Sequence, residues 1–202
     1  VPGWFMALLG TGAVALGGVL AWREEYRRER LFSFLDPFAD QLNTGYQGSA
    51  SLSAFASGGW WGSGLGASTQ KWGRLPEAHT DFIYAVIGEE LGLFGSLAIL
   101  VLLLVMAYAG LRIASRASDR FVQLTVAGVM TWMLVQSVIN IGATLSVMPI
   151  TGVPLPLVSY GGSALVISLA GLGVVLAGAR TDPAVRAALA ARRRRPTVTG
   201  RR

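Results

Sequence analysis

Four acidic side chains and the only histidine of the chain fall within one short stretch, Arg74-Leu-Pro-Glu-Ala-His-Thr-Asp-Phe-Ile-Tyr-Ala-Val-Ile-Gly-Glu-Glu-Leu-Gly92. Carboxylates and an imidazole are the side chains that most often move protons at neutral pH. Pro76 suits the first turn of a helix, where its missing N–H would be unpaired in any case, and Glu77 and Asp81 then sit near the positive helix end, which favours their ionised forms. A charged acceptor for a proton is thereby expected at the start of an apolar run. Glu89 and Glu90 fall inside that run, and a carboxylate buried in hydrocarbon is costly enough that it is expected to face a protein cavity or a partner group.

The elements that must position these groups follow from composition. The chain has 202 residues, 52% hydrophobic and 14% charged, which reads as an all-α integral membrane protein. There is no cysteine, which excludes disulfides and thiolate metal sites, and the single histidine excludes an all-histidine site. The net charge of +6 resides largely in arginines beside apolar sequence. It therefore points to membrane lipids and topology, with no nucleic acid partner expected.

Roughly 20 apolar residues cross a bilayer core, and on that measure about four transmembrane helices are expected. The first span is 1–22, followed by a large extracellular loop with interfacial segments at 23–82. The second span is 83–111, a cytoplasmic loop covers 112–120, and the third span is 121–143. An extracellular Pro-rich segment at 144–158 leads to the fourth span, 159–179, and a basic cytoplasmic tail at 180–202. The short arginine-bearing loop and the arginine tail agree on the cytoplasmic side. Because the chain opens on Val-Pro, a preceding part is expected.

Within the external loop, Gly58-Gly-Trp-Trp-Gly-Ser-Gly-Leu-Gly66 has two readings of equal standing. It is a flexible, tryptophan-anchored loop, or a surface on which aromatic faces stack on sugar. Gln136 and Asn140 lie one turn apart in the third span, where amides are expected to bond a neighbouring helix. In Met148-Pro-Ile-Thr-Gly-Val-Pro-Leu-Pro-Leu-Val-Ser-Tyr-Gly-Gly-Ser163 the prolines remove helix donors. An irregular segment at membrane depth is expected there, facing protein or a cavity.

Several motifs in order, Gly45-Tyr-Gln, the Gly-Trp stretch, Gln70-Lys71, Leu75-Pro-Glu-Ala-His-Thr-Asp-Phe-Ile83, Ile87-Gly-Glu-Glu-Leu-Gly92, Asn140-Ile-Gly142 and Pro154-Leu-Pro-Leu-Val-Ser-Tyr-Gly-Gly-Ser163, resemble the SEDS family (shape, elongation, division and sporulation) of membrane glycosyltransferases. The likeness is greatest to its division members, and to the C-terminal part of their ten-span bundle. The resemblance implies polymerisation of lipid II into peptidoglycan strands on the outer face of the plasma membrane, at the division septum. It implies that Asp81 is the catalytic general base, that Glu77, His79, Gln70 and Lys71 line the substrate mouth, and that Ser159, Tyr160 and Ser163 supply donors. A class B penicillin-binding protein and other division proteins are the implied partners.

Other readings stand beside these. Glu77 is equally a helix-start carboxylate and His79 an interfacial histidine. No dedicated metal ligand cluster is visible, though carboxylates and pyrophosphate together could hold Mg²⁺ or Mn²⁺. A transporter of lipid-linked sugars would use the same intramembrane carboxylates and broken segments, and a scaffold for division proteins would use neither. The transporter needs its acid near the midplane, as at Glu89 and Glu90; the polymerase needs it at the outer surface, as at Asp81.

Overall fold

The structure, a computed structural model, describes residues 33–39, 45–69 and 79–182, together with separate positions between 4 and 18 and at 185 and 187. Gln70, Lys71 and Glu77 lie outside the described residues, as does the run of arginines at 192–195. Among the described residues the regular elements are four long helices: α1 (Tyr46–Gly58), α2 (Ile83–Arg116), α3 (Arg120–Thr144) and α4 (Gly162–Ala179). The last three are long and apolar enough to cross a membrane. The expected first span lies mostly outside the described residues; the positions of it that are described, such as Trp4, Phe5 and Thr11, are helical.

Apolar runs form α2 to α4 because only a helix satisfies its own backbone in lipid. Leu97, Leu102, Leu104 and Val166 are exposed outward, where hydrocarbon can cover them. Inward, Ala114, Val126, Met130 and Val175 form one core cluster, and Tyr84, Leu103 and Leu155 another. Only 117–119 separate α2 from α3, and Asp119 caps α3 by accepting the Phe121 N–H at 2.9 Å. Arg112 and Arg116, in the stretch 112–120, continue the last turns of α2.

α1 lies inside the stretch that reads as a Gly/Ser loop. Its small residues Gly48, Ser51, Ala54 and Gly58 are buried at spacings of three and four, which lets two helix backbones approach closely. A Cβ on Gly58 would stand 2.0 Å from the Gly88 carbonyl of α2. At the other side Ser51 Oγ donates to Thr144 O of α3 at 2.6 Å.

The feature of α2 that most affects the site is a break at Gly92, whose φ of 67° and ψ of −163° are not helical. In an unbroken helix the Leu93 N–H would reach Glu89 O. Here Leu93 N–H donates to Gly59 O, while Glu89 O receives the Ser63 N–H and Oγ and Glu90 O receives the Gly64 N–H, at 2.8 to 3.1 Å. The Gly-Trp stretch thus closes the break with its own backbone, and Tyr84 OH bridges it by donating to Ser96 O at 3.2 Å. Trp60 and Trp61 settle on Phe94, ring centroids 6.4 and 4.9 Å away.

Gly62 has φ +80°, and a Cβ there would meet Glu90 O at 2.2 Å. Gly62→Ala is therefore expected to destabilise the protein by about 2–4 kcal/mol, combining overpacking with left-handed strain. The check is the midpoint of thermal unfolding in detergent, with Gly64→Ala as comparison, since a Cβ at Gly64 meets nothing within 4 Å although its φ of +107° is also strained.

Candidate active site

Asp81 lies immediately before α2 and is partly buried. Its main chain is held from α3: Asn140 Nδ2 donates to Asp81 O at 2.7 Å and to Val153 O at 2.8 Å. One amide therefore ties the helix start to the Pro-rich segment. A second tie is the Tyr160 N–H, which donates to His79 O at 2.9 Å, and a third is Gln136 Nε2, which donates to Pro154 O at 2.9 Å. The amides of the third span thus serve carbonyls of the irregular segment and of Asp81 ahead of α2, where a neighbouring helix was expected.

The Pro-rich segment turns back against the helix start. Ser159 is buried, and its Oγ accepts the Leu155 N–H at 2.6 Å while the Ser159 N–H donates to Leu155 O at 3.0 Å. Leu157, between them, has φ +64°, a conformation that costs a bulky residue about 1 kcal/mol or more. The turn brings Gly152 beside the acid, so that a Cβ added there would lie 3.3 Å from Asp81 Oδ2. His79, Tyr160 and Ser163 are exposed. What is brought together is thus the backbone of 79–81 and the Pro-rich turn, with the Asp81 carboxylate beside Gly152 and Ser159 buried.

Glu89 is in a different environment. It is 1% exposed, and its carboxylate accepts Ser68 Oγ at 2.5 Å, the Thr69 N–H at 2.9 Å and Thr69 Oγ1 at 3.0 Å. Three donors from Ser68 and Thr69 surround one carboxylate. Glu90, one position on, is half-buried, with its carbonyl bound to the loop. Among the described residues no group of three or more His, Asp or Glu side chains could hold a metal ion.

Sequence reasoning did not find Ser68 and Thr69 as the partners of Glu89, nor Asn140 as the brace of Asp81. The available signals were a buried acid needing donors and an amide in an apolar span. Asn140 is 2% exposed and its Oδ1 lacks a hydrogen-bond partner, so Asn140→Leu removes two donated bonds and relieves one unmet acceptor. A net loss of about 1–3 kcal/mol is expected, read as a lower unfolding midpoint, with Gln136→Leu showing a smaller loss because that amide donates one bond.

Comparison with known proteins shows the family. The family model FTSW_RODA_SPOVE, described as "Cell cycle protein", matches residues 3–182. Relatives called "Probable peptidoglycan glycosyltransferase FtsW" include those of Methylococcus capsulatus, 45% identical over 85% of this chain and 44% of the relative, and of Alcanivorax borkumensis, 45% identical over 90% and 48%. The Mycobacterium tuberculosis relative is 44% identical over 89% of this chain and 34% of its own length. The chain thus spans about half the length, or less, of these curated relatives. A solved structure concerned with the coordination of polymerization and crosslinking by a peptidoglycan synthase complex superposes with a TM-score of 0.65 at 33% identity, covering 89% of this chain and 50% of the other. With three helices long enough to span a bilayer and a family match over most of its length, the chain is a multi-pass membrane protein of the FtsW/RodA/SpoVE family.

Proposed function

We propose that the protein polymerises lipid II into peptidoglycan glycan strands, with Asp81 as general base. The observation that carries this reading is a carboxylate at the polar start of a membrane helix, its main chain braced by Asn140 and its Oδ2 beside the irregular turn at Gly152. In the proposed step, Asp81 takes the proton of the acceptor sugar's 4-hydroxyl. The freed oxygen pair attacks the anomeric carbon of the donor, and undecaprenyl pyrophosphate leaves with the bonding electrons on the opposite face, inverting that carbon. An aspartate carboxylate is ordinarily charged at neutral pH and so is ready to accept a proton. The braced backbone fixes where the carboxylate stands, which is how a positioned base gains efficiency.

The remaining site residues are proposed in supporting roles. Lys71 offsets pyrophosphate charge, Gln70, Glu77 and His79 line the mouth, Tyr160 and Ser163 donate to substrate, and Ser159 holds the turn. A Mg²⁺ or Mn²⁺ held between carboxylates and the substrate's pyrophosphate would offset charge there. A class B penicillin-binding protein that crosslinks the strands, with other division proteins at the septum, is the proposed partner, and the site faces outward. The names of the relatives and of the synthase complex support this reading.

A transporter of lipid-linked sugar remains the second reading, because α2 is broken and carries buried carboxylate. The three loop donors around Glu89 count against it, since they leave that acid engaged with protein. The deciding experiment reconstitutes the full-length protein with its penicillin-binding partner and labelled lipid II in liposomes. Glycan strands support the proposal. Movement of lipid II between leaflets with no strands overturns it in favour of transport, and neither activity leaves the scaffold.

A further inference from the structure

A second feature lies at the opposite end of α2. Val105, Tyr108, Ala109, Arg112, Ile113 and Arg116 recur at spacings of three and four and form one stripe; with Ala179, Asp182 and Val185 of the α4 end they line a cleft of about 280 Å³. Its two levels differ. The deeper part is walled by apolar side chains, among them Val105 and Tyr108, 58% and 66% exposed. At its other end the lining carries Arg112 and Arg116, one turn apart on α2, and Asp182 from beyond α4.

The depth of that mouth follows from helix geometry. From the break at Gly92, residues 93–111 rise about 28 Å at roughly 1.5 Å each, close to the ~30 Å hydrocarbon thickness. Arg112 is therefore the first residue at headgroup level, while Val105 and Tyr108 remain in the acyl region. Side chains at i and i+4 stand about 6 Å apart, a separation from which two guanidinium groups can hold one phosphate through paired N–H donors. A free dianion would meet the carboxylate of Asp182 at the same mouth. A phosphodiester of single charge, with hydroxyls that Asp182 can accept, balances two arginines and one aspartate.

We propose that this cleft is a binding site for one anionic glycerophospholipid of the phosphatidylglycerol type. Arg112 and Arg116 hold its phosphate, Asp182 accepts its headgroup hydroxyls, and an acyl chain lies along Val105, Tyr108 and Ala109. By the positive-inside rule the site belongs to the cytoplasmic leaflet, on the other side of the membrane from the proposed active site. A zwitterionic headgroup would leave one positive charge unbalanced.

To test this, the intact protein is placed in mixed micelles holding equal amounts of phosphatidylglycerol and phosphatidylethanolamine with identical acyl chains, and retained lipid is counted by native mass spectrometry. Wild type is expected to retain one phosphatidylglycerol in preference. Arg112→Gln combined with Arg116→Gln is expected to lower that retention about 30-fold, roughly fivefold for each arginine at a lipid surface. Val105→Trp, which fills the apolar wall and keeps both arginines, is expected to lose it too and decides the matter if the double variant does not fold. Arg120→Gln, outside the cleft and bonded to Gln123, is expected to keep it. Equal retention of the two lipids, unchanged preference in both cleft variants, or an equal loss in Arg120→Gln would overturn the site. Release of the lipid by excess inorganic phosphate alone would overturn the lipid assignment in favour of a free anion.

Discussion

Replacing Asp81 by asparagine is expected to lower glycan-strand synthesis by about 10²–10⁴-fold, the usual contribution of a positioned general base. The substitution keeps shape, and it leaves the bond from Asn140 untouched because that bond ends on the main-chain oxygen of residue 81. The loss should therefore appear in kcat with KM for lipid II little changed, as for a group that acts in the transition state. Two neighbours sharpen the test. Asp81→Glu restores charge but pushes an added methylene toward Gly152, so partial activity is expected. Gly152→Ala places a Cβ 3.3 Å from Asp81 Oδ2 and strains a backbone of φ +69°, so it should shift both the turn and the carboxylate while leaving the carboxylate's chemistry intact, giving a smaller loss. Wild-type rates in folded Asp81→Asn would remove the base from the mechanism.

The second large effect is expected from Glu89→Ala. Three hydrogen bonds end on this carboxylate, and bonds to a charged acceptor contribute about 1.5–3 kcal/mol each. Ala removes them together, leaves the Thr69 N–H without its acceptor and opens a void, while relief of the buried charge offsets part of the sum, so a net loss of about 3–5 kcal/mol is expected. Glu89→Gln should fall between, because a rotating hydroxyl can still donate to the amide oxygen while the amide nitrogen offers no acceptor. Hydrogen exchange across 60–69 would report whether the loop is released, and thermal unfolding would give the magnitude. If Glu89→Gln matches wild type in both and instead alters lipid II movement, the carboxylate serves transport and the anchoring account fails.

How far the residues announced this arrangement depends on the element. The spans of α2, α3 and α4 were legible because long apolar runs have only one way to satisfy their backbone in a bilayer. The irregular Pro-rich turn was legible too, since Pro149, Pro154 and Pro156 lack the donors a helix needs. α1 was not, because Tyr46 to Gly58 is rich in serine and glycine and carries no apolar stripe. What makes it a helix is its smallness on one face, seen only once Gly58 meets Gly88. The break at Gly92 was hidden likewise: Gly-Glu-Glu-Leu-Gly reads as helix until Ser63 and Gly64 arrive from about 26 residues earlier to take over the hydrogen bonds. At the site, the acids were visible by type, whereas Asn140 bonding Asp81 across 59 positions depends on a fold that no local pattern records.

The closure of the α2 break also sets an order of assembly. Ser63 is 26 positions from Glu89, and Gly59 is similarly near Leu93, so the stitch needs only a short chain excursion, whereas the brace from Asn140 must wait for α3. Because loop-closure entropy grows with separation and contacts near in sequence form first, the kinked hairpin of α1, loop and early α2 can set before the third span arrives. The carboxylate of Asp81 is then fixed late, onto a platform already formed, and a slow or faulty insertion of α3 would yield a protein with an intact loop and a misplaced acid.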